Sequence, residues 1–225
     1  MSAVFITGTG TDVGKTFVAA ALIRHLRGLG QAVDALKPIV SGFDPATPSG
    51  SDPAILLKAL GRDQDDGALA RISPWRFRAP LSPDMAARAE NRRIDMDAIV
   101  DFCAEAISKN RGTLLIEGVG GIMVPLNESQ TVLDLMVALS LPVILVAGSY
   151  LGTLSHILSA QDVIERHALS LRAIVVSETE RSPVPLDATL ATLANFTAAP
   201  LLGLRRESST QANEAVFHRL ADLIA

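Results

Sequence analysis

The sequence predicts an α/β fold in which a doubly wound, mostly parallel sheet is flanked by helices on both faces. Apolar runs alternate with helical patterns along the 225 residues of the chain. The runs at residues 114–116 and 143–146 are apolar at every position, as expected of parallel strands that are buried on both faces. A loop rich in glycine and threonine joins the first apolar run directly to a helical pattern. Together these observations predict three layers, with the sheet between two layers of helices.

Six strands are predicted, at residues 4–7, 32–36, 113–117, 143–147, 173–176 and 201–204. Helices are predicted near residues 16–28, 53–60, 97–109, 132–139, 154–168, 186–196 and 213–224. Gly28 and Gly30 end the first helix, Asp95 is placed to cap the third, and Pro142 opens a strand. Because residues 38–94 are richer in Pro, Gly and Ser, we expect them to be an insertion over the active face within one domain of residues 1–225.

Composition excludes several classes of protein. The net charge is −4, from 20 basic and 24 acidic residues, and the sequence contains no basic run. Neither nucleic acid nor an anionic membrane is therefore expected as a partner. No segment approaches the ~20 apolar residues that span a bilayer. The single cysteine, Cys103, excludes an intramolecular disulfide, and we expect a cytoplasmic protein.

The segment TGTGTDVGKT at residues 7–16 follows the first apolar run and precedes a helix. In this context a loop that ends in Gly-Lys-Thr wraps the phosphates of a nucleoside triphosphate. Lys15 then bridges the outer phosphates and the Thr16 hydroxyl reaches Mg²⁺. A chance turn is the alternative, but a lysine at the mouth of a buried helix would be costly. The general pattern has a glycine where this chain has Thr9, so the loop that opens at Gly8 is longer by one residue.

Two polar residues follow the second strand. Lys37 stands at its end, where it would share a cleft with Lys15; two converging ammonium groups imply an anion between them. An ordinary surface lysine is an equally good interpretation of Lys37 from the residues alone. Asp52 lies just before Pro53, and the residues alone favour a helix N-cap.

A carboxylate ends the third strand. Glu117 is followed by Gly118, Val119, Gly120 and Gly121, and the glycines let the backbone approach a ligand closely. In P-loop proteins a carboxylate at this place helps to hold Mg²⁺. Pairing with a lysine is the alternative. An acid at the end of a strand buried on both faces is costly without a cation, which favours a metal.

With these residues the chain resembles the dethiobiotin synthetases, ATP-dependent ligases of biotin synthesis. The matching residues are 7–16, 37–38, 41–42, 51–52, 81–83, 117–121, 141–146, 151–152 and 200–203. They occur in order along the chain at the spacings of the family, and the lengthened phosphate loop is also a family feature.

The resemblance implies closure of the ureido ring of dethiobiotin from 7,8-diaminononanoate and CO₂ or bicarbonate. One amine takes up CO₂ as a carbamate, ATP phosphorylates the carbamate, and the second amine attacks the mixed anhydride and expels phosphate. The implied cofactor is Mg²⁺, and the implied assembly is a homodimer with active sites at its interface. Because the carbamate and the γ-phosphoryl group are both anionic, the site must screen charge and align the groups.

The resemblance also implies residue roles. It assigns catalysis to Lys37, Lys15 and Thr11. It assigns Mg²⁺ to Thr16, Asp52 and Glu117. For Asp52, capping and metal binding are compatible, and the resemblance favours the metal. The implied substrate-binding residues are Ser41 and, toward the neighbouring subunit, the helix N-terminus at Leu151, Gly152, Thr153, Leu154 and Ser155. The implied nucleotide-binding residues are Asp12, Val13, Gly14, Lys15, Thr16, Phe17, Asp52, Glu117, Gly118, Val119, Gly120, Ser177 and Glu178.

The chain departs from the family where the base is bound. Many relatives place Asn-Asp where this chain has Ser177-Glu178, and a Pro-containing stretch where it has residues 204–207. We therefore expect weaker selectivity for the base.

The alternative function is a partner-binding switch, a regulatory P-loop ATPase of the partitioning type. Those ATPases carry an additional lysine in the loop at the position of Gly10, which favours the synthetase.

Overall fold

The computed structural model describes residues 2–206 and 210–225. In these residues the strands are β1 (Ser2–Gly8), β2 (Val33–Leu36), β3 (Ile39–Ser41), β4 (Trp75–Phe77), β5 (Thr113–Glu117), β6 (Val143–Gly148), β7 (Leu171–Ser177) and β8 (Leu201–Leu204). The helices are α1 (Lys15–Gly28), α2 (Asp52–Ala59), α3 (Asp66–Ile72), α4 (Pro83–Ala89), α5 (Met96–Lys109), α6 (Val132–Leu139), α7 (Thr153–Arg166), α8 (Leu186–Leu193) and α9 (Thr210–Ile224).

The central sheet has the strand order β2-β5-β1-β6-β7-β8, and each of these pairings is parallel. The predicted parallel α/β fold is therefore confirmed, and all six predicted strands are present. Strand β1 lies between β5 and β6, with Ile6 opposite Glu117 and Gly8 opposite Val146. Because parallel strands end at the same edge, the loops after β1 and β5 meet there, where ligands bind in such sheets.

The core explains the apolar runs of the sequence. Every residue of β6 is buried, as are the last five residues of β1. Helices cover both faces of these strands, so no position alternates toward water. Leu22 and Ile23 of α1 are fully buried in the same continuous cluster of side chains. This packing fixes α1 against the central sheet.

Residues 38–94 contain features that the sequence patterns do not reveal. Strands β3 and β4 form a separate parallel pair, and α3 and α4 lie in the same region. These elements are three to seven residues long, too short to show a helical or strand period. Capping does mark α3, since the Asp65 side chain accepts a hydrogen bond from the backbone N–H of Ala68 at 2.7 Å. That this segment is an insertion within one domain stays a prediction.

Other helix boundaries follow local chemistry. The Asp95 side chain accepts hydrogen bonds from the backbone N–H groups of Asp97 and Ala98, as predicted for the cap of α5. Helix α1 ends at Gly28, and Gly30 follows with φ +73°. Within the described ranges, no helix combines the length and the apolar character that crossing a membrane would require.

Candidate active site

The phosphate loop connects β1 to α1, and two glycines fix its shape. A Cβ atom at Gly8 would lie 2.9 Å from the Val13 side chain and 3.1 Å from the backbone oxygen of Val146. Gly14 has φ +97° and is the N-cap of α1, a conformation that favours glycine. The helix therefore begins at Lys15, with its N-terminal backbone N–H groups directed at the loop.

Lys15 is held inside this loop. Its Nζ donates a hydrogen bond to the backbone oxygen of Gly10 at 2.6 Å, and the residue is only 7% exposed. Burial and, next, the positive charge of Lys37 lower the pKa of Lys15 to about 8. Both lysines line one cleft of about 780 Å³. Two ammonium groups in one cleft form a site for an anionic ligand.

Lys37 is a buried residue, and its interpretation as a surface lysine is wrong. It is 2% exposed, and its Nζ lies 2.7 Å from Oε1 of Glu117, 2.7 Å from the backbone oxygen of Gly118 and 3.0 Å from Oδ2 of Asp52. These three acceptors match the three protons of an ammonium group. Burial acts to lower the pKa of Lys37, but the charges of Glu117 and Asp52 outweigh it and hold the pKa above its usual value.

Asp52 faces this cluster and does not cap α2. The helix begins at Asp52 itself, and its N-cap is Ser51, so the capping interpretation is wrong. Burial acts to raise the pKa of Asp52, but the Lys37 charge and the Thr16 hydroxyl outweigh it and hold the pKa below its usual value. Asp52 is thus a carboxylate directed at Thr16 and Lys37.

Three oxygen ligands suited to Mg²⁺ converge at this place. The Thr16 hydroxyl lies 2.8 Å from Oδ1 of Asp52 and 2.7 Å from Oε1 of Glu117. Oε2 of Glu117 is buried and has no hydrogen-bond partner. Within residues 2–206 and 210–225 no three His, Cys, Asp or Glu side chains form a metal site; the set here is two carboxylates and one hydroxyl. A free buried carboxylate oxygen beside a shared hydroxyl fits a magnesium ion, which prefers few protein ligands.

Most of the other predicted site residues line the same cleft, namely Thr11, Asp12, Gly14, Phe17, Ser41, Val119 and Gly120. Val13 is buried beneath the loop. The sequence reasoning missed further lining residues: Val40, Gly42, Pro80, Leu81, Ser82, Pro83 and Val124. A signal existed for residues 81–83, which carry part of the family resemblance. The resemblance assigned no role to residues 81–83. Their place in the cleft follows from the fold, which brings residues 80–83 opposite the phosphate loop.

Two predicted groups lie outside the lining of this cleft. Leu151, Gly152, Thr153, Leu154 and Ser155 form the N-terminal end of α7, where Gly152 is the N-cap and Leu151 is 86% exposed. A side-chain Cβ at Gly14 would lie 3.2 Å from Oγ of Ser177, which puts Ser177 beside the phosphate loop. Oε2 of Glu178 accepts a hydrogen bond from the backbone N–H of Arg206 at 3.0 Å. Glu207, in the altered segment, lies outside the described residues.

The parallel sheet, the loop after β1 and the buried lysines define a P-loop nucleotide-binding protein. A family model described as an AAA domain matches residues 2–205. The chain is 53% identical over 197 residues to the ATP-dependent dethiobiotin synthetase BioD of Caulobacter vibrioides (strain NA1000 / CB15N), which covers 87% of this chain and 88% of that protein. It is 49% identical over 223 residues to the protein of the same name from Caulobacter sp. (strain K31), over 98% of this chain and 95% of that one. The chain belongs to the family of ATP-dependent dethiobiotin synthetases.

A solved structure agrees in fold. The septum site-determining protein MinD of Pyrococcus horikoshii OT3, in complex with Mg-ADP, is similar with a TM-score of 0.59 and 16% identity, over 98% of this chain and 94% of that one. At this identity the likeness concerns the fold alone. The regulatory-ATPase alternative therefore gains no support from it, whereas the synthetase assignment rests on about half of all aligned positions being identical.

Proposed function

We propose that this enzyme makes dethiobiotin from 7,8-diaminononanoate, CO₂ and ATP, with Lys15 and Lys37 as its catalytic cations. One observation carries the proposal: the Lys37 ammonium and the Thr16 hydroxyl meet Asp52 and Glu117 within 3.0 Å, at the wall of the phosphate-loop cleft. This arrangement places an ammonium group beside a candidate metal site. Transfer of a phosphoryl group to a carbamate requires both.

The reaction has three steps. An amine nitrogen of the substrate adds to the carbon of CO₂ and loses a proton, which gives a carbamate. A carbamate oxygen attacks the γ-phosphorus of ATP, and the bond from that phosphorus to ADP breaks. The second amine then attacks the carbamoyl carbon, the bond from that carbon to the phosphate oxygen breaks, and the nitrogen loses a proton as the five-membered ureido ring closes.

In this scheme the two lysines stabilise negative charge. The surrounding carboxylates keep Lys37 protonated, so its ammonium acts as a fixed cation beside the carbamate. Lys15 contacts the outer phosphates of ATP and stabilises the phosphoryl group as it is transferred. The Thr11 hydroxyl donates a hydrogen bond close to the same group. Because Lys15 and Lys37 are held by hydrogen bonds before the substrate arrives, little reorganisation of their charges is needed during the reaction.

Thr16, Asp52 and Glu117 are the residues that would hold Mg²⁺. The unpartnered Oε2 of Glu117 supports this assignment. When bound, the ion supplies charge neutralisation on the phosphates. The chain's own contribution is to orient the two carboxylates through Lys37 and the Thr16 hydroxyl.

The substrate is proposed to bind between two subunits of a cytoplasmic homodimer. Ser41 lines the cleft and can contact the diamine end. Residues 151–155 can bind the distal carboxylate of the neighbouring subunit's substrate through the Leu154 and Ser155 N–H groups, which lie in the first turn of α7 and have no i−4 partner within the helix. The N–H of Thr153 donates to the Tyr150 oxygen. The high exposure of Leu151 fits a surface that a second subunit covers. The absence of any disulfide requirement, with Cys103 free and buried, suits a reducing compartment.

The decisive assay measures phosphate release with 7,8-diaminononanoate, bicarbonate and MgATP. Wild type should release phosphate only when the diamine is present, and Lys37→Ala should not. Lys109→Ala is the matched control, since Lys109 is an exposed lysine on α5, and it should behave as wild type. Release that is independent of the diamine, or equal in Lys37→Ala, would refute the proposal. Size-exclusion chromatography with light scattering tests the homodimer.

A further inference from the structure

Tyr150 connects the phosphate loop to α7, and the reaction scheme above gives it no role. It follows β6 and precedes α7. Its hydroxyl lies 2.9 Å from Nδ1 of His156 in the first turns of α7 and 3.4 Å from the hydroxyl of Thr9 in the phosphate loop. The Tyr150 hydroxyl therefore contacts both the phosphate loop, proposed to bind the nucleotide, and α7, whose N-terminal end is proposed to bind the substrate carboxylate.

The close approach of Gly148 and a backbone hydrogen bond position Tyr150. A Cβ at Gly148 would lie 3.0 Å from Cδ1 of Tyr150, so the missing side chain at Gly148 leaves space for the ring. The backbone oxygen of Tyr150 accepts the N–H of Thr153 at 3.1 Å, in the turn that starts α7. Thr9 is fixed on its own side, because its backbone N–H donates to the Val146 oxygen of β6 at 3.0 Å.

We propose that Tyr150 is a positioning residue that ties the lengthened phosphate loop to the first turn of α7. Thr9 stands where shorter loops have a glycine, and a longer loop has more conformational freedom to lose when it wraps phosphates. The Tyr150 hydroxyl restricts that freedom at Thr9 while its second contact orients His156. The inference rests on the proposed function only in taking the loop as the nucleotide site and residues 151–155 as the site of the substrate carboxylate.

The first test is Tyr150→Phe, which keeps the ring and removes the hydroxyl. The Kd of MgADP and the KM for ATP should each rise by about three- to tenfold, the loss expected for one neutral hydrogen bond, while kcat changes less than about twofold. Thr9→Val should have the same effect, and Thr9→Ser, which keeps a hydroxyl, a smaller one. The double variant should bind MgADP no more weakly than the worse single variant, because both changes remove one contact.

Thr192→Val is the matched control, since its hydroxyl makes a 3.0 Å hydrogen bond to the Ala188 oxygen on the distant α8. It should leave the Kd of MgADP unchanged. An unchanged Kd in Tyr150→Phe, or losses that multiply in the double variant, would overturn the proposal. A fall in kcat without a rise in KM for ATP would also overturn it.

The second test uses the fact that Tyr150 is the only tyrosine of the chain. Protein labelled with ring-¹³C tyrosine therefore gives the NMR signals of this one ring. MgADP should shift these signals in wild type, and Thr9→Val should shift them without ligand. If neither MgADP nor Thr9→Val shifts the tyrosine signals, the proposed contact between Tyr150 and the phosphate loop is refuted. Because MgADP binding needs no turnover, these measurements remain interpretable even if the wild type makes no dethiobiotin, an outcome that would refute the proposed function alone.

Discussion

Replacing Lys37 with methionine should lower the stability of the fold as well as abolish activity. The substitution keeps the length of the side chain and removes its charge. It leaves the carboxylate of Glu117, which is 1% exposed, without the ammonium 2.7 Å away. Since Oε2 of Glu117 already has no hydrogen-bond partner, the Thr16 hydroxyl would be the one donor left to this carboxylate among the described residues. Asp52 loses the same cation but is partly exposed and can be hydrated.

The size of the effect follows from this burial. Removing one partner of a buried ion pair typically costs about 3–5 kcal/mol, because the other charge remains in a medium of low polarity. The double variant Lys37→Met, Glu117→Gln removes that charge as well. It should be more stable than Lys37→Met, because no unpaired charge then remains buried at position 117. Both the single and the double variant should be inactive.

Urea unfolding of the magnesium-free and nucleotide-free protein at pH 7 measures these free energies, with the denaturant slope checked for each variant. Lys109→Met, a change in an exposed i,i+4 pair, serves as the control and should alter the free energy of unfolding by less than about 1 kcal/mol. The reasoning is refuted if Lys37→Met costs no more than this control. It is also refuted if the double variant is less stable than the single one.

Three further outcomes are expected. Burial raises the pKa of Cys103 to about 12, so its thiol should resist iodoacetamide at pH 8 in the native protein and react only in denaturant. Mass spectrometry measures the alkylation, and rapid alkylation of the native protein would contradict this prediction. Gly8→Ala should strain the phosphate loop by about 1–3 kcal/mol, since the new methyl group meets Val13 and Val146, and should weaken MgADP binding in calorimetry. Gly28→Ala meets nothing within 4 Å and should bind as wild type, whereas equal affinities for all three proteins would contradict the steric argument. With Ser177-Glu178 in place of Asn-Asp, GTP and CTP should support turnover at rates comparable to ATP, and a strict requirement for ATP would exclude loose base selectivity.

Much of the fold could be predicted because its signals are local. Strand, loop and helix are consecutive in residues 2–28, so glycine spacing and apolar runs define the phosphate loop without knowledge of the rest of the chain. The buried strands were equally clear, since burial on both faces makes every position apolar. The short elements between residues 38 and 94 could not be predicted, because β3, β4, α3 and α4 are too brief to show a period.

The candidate site divides in the same way. By itself the sequence determined a phosphate-binding loop with Lys15 and Thr16, and an acid, Glu117, at the end of a buried strand. The residues alone left Lys37 undecided and favoured a helix cap for Asp52, because each had an ordinary local explanation. Only the tertiary structure decided between them: hydrogen bonds join Thr16 to Asp52 across 36 positions of the chain and Lys37 to Glu117 across 80. Parallel strands end at one edge of the sheet, and this common edge brings distant charged residues into one buried cluster, where each is stable only because the others are present.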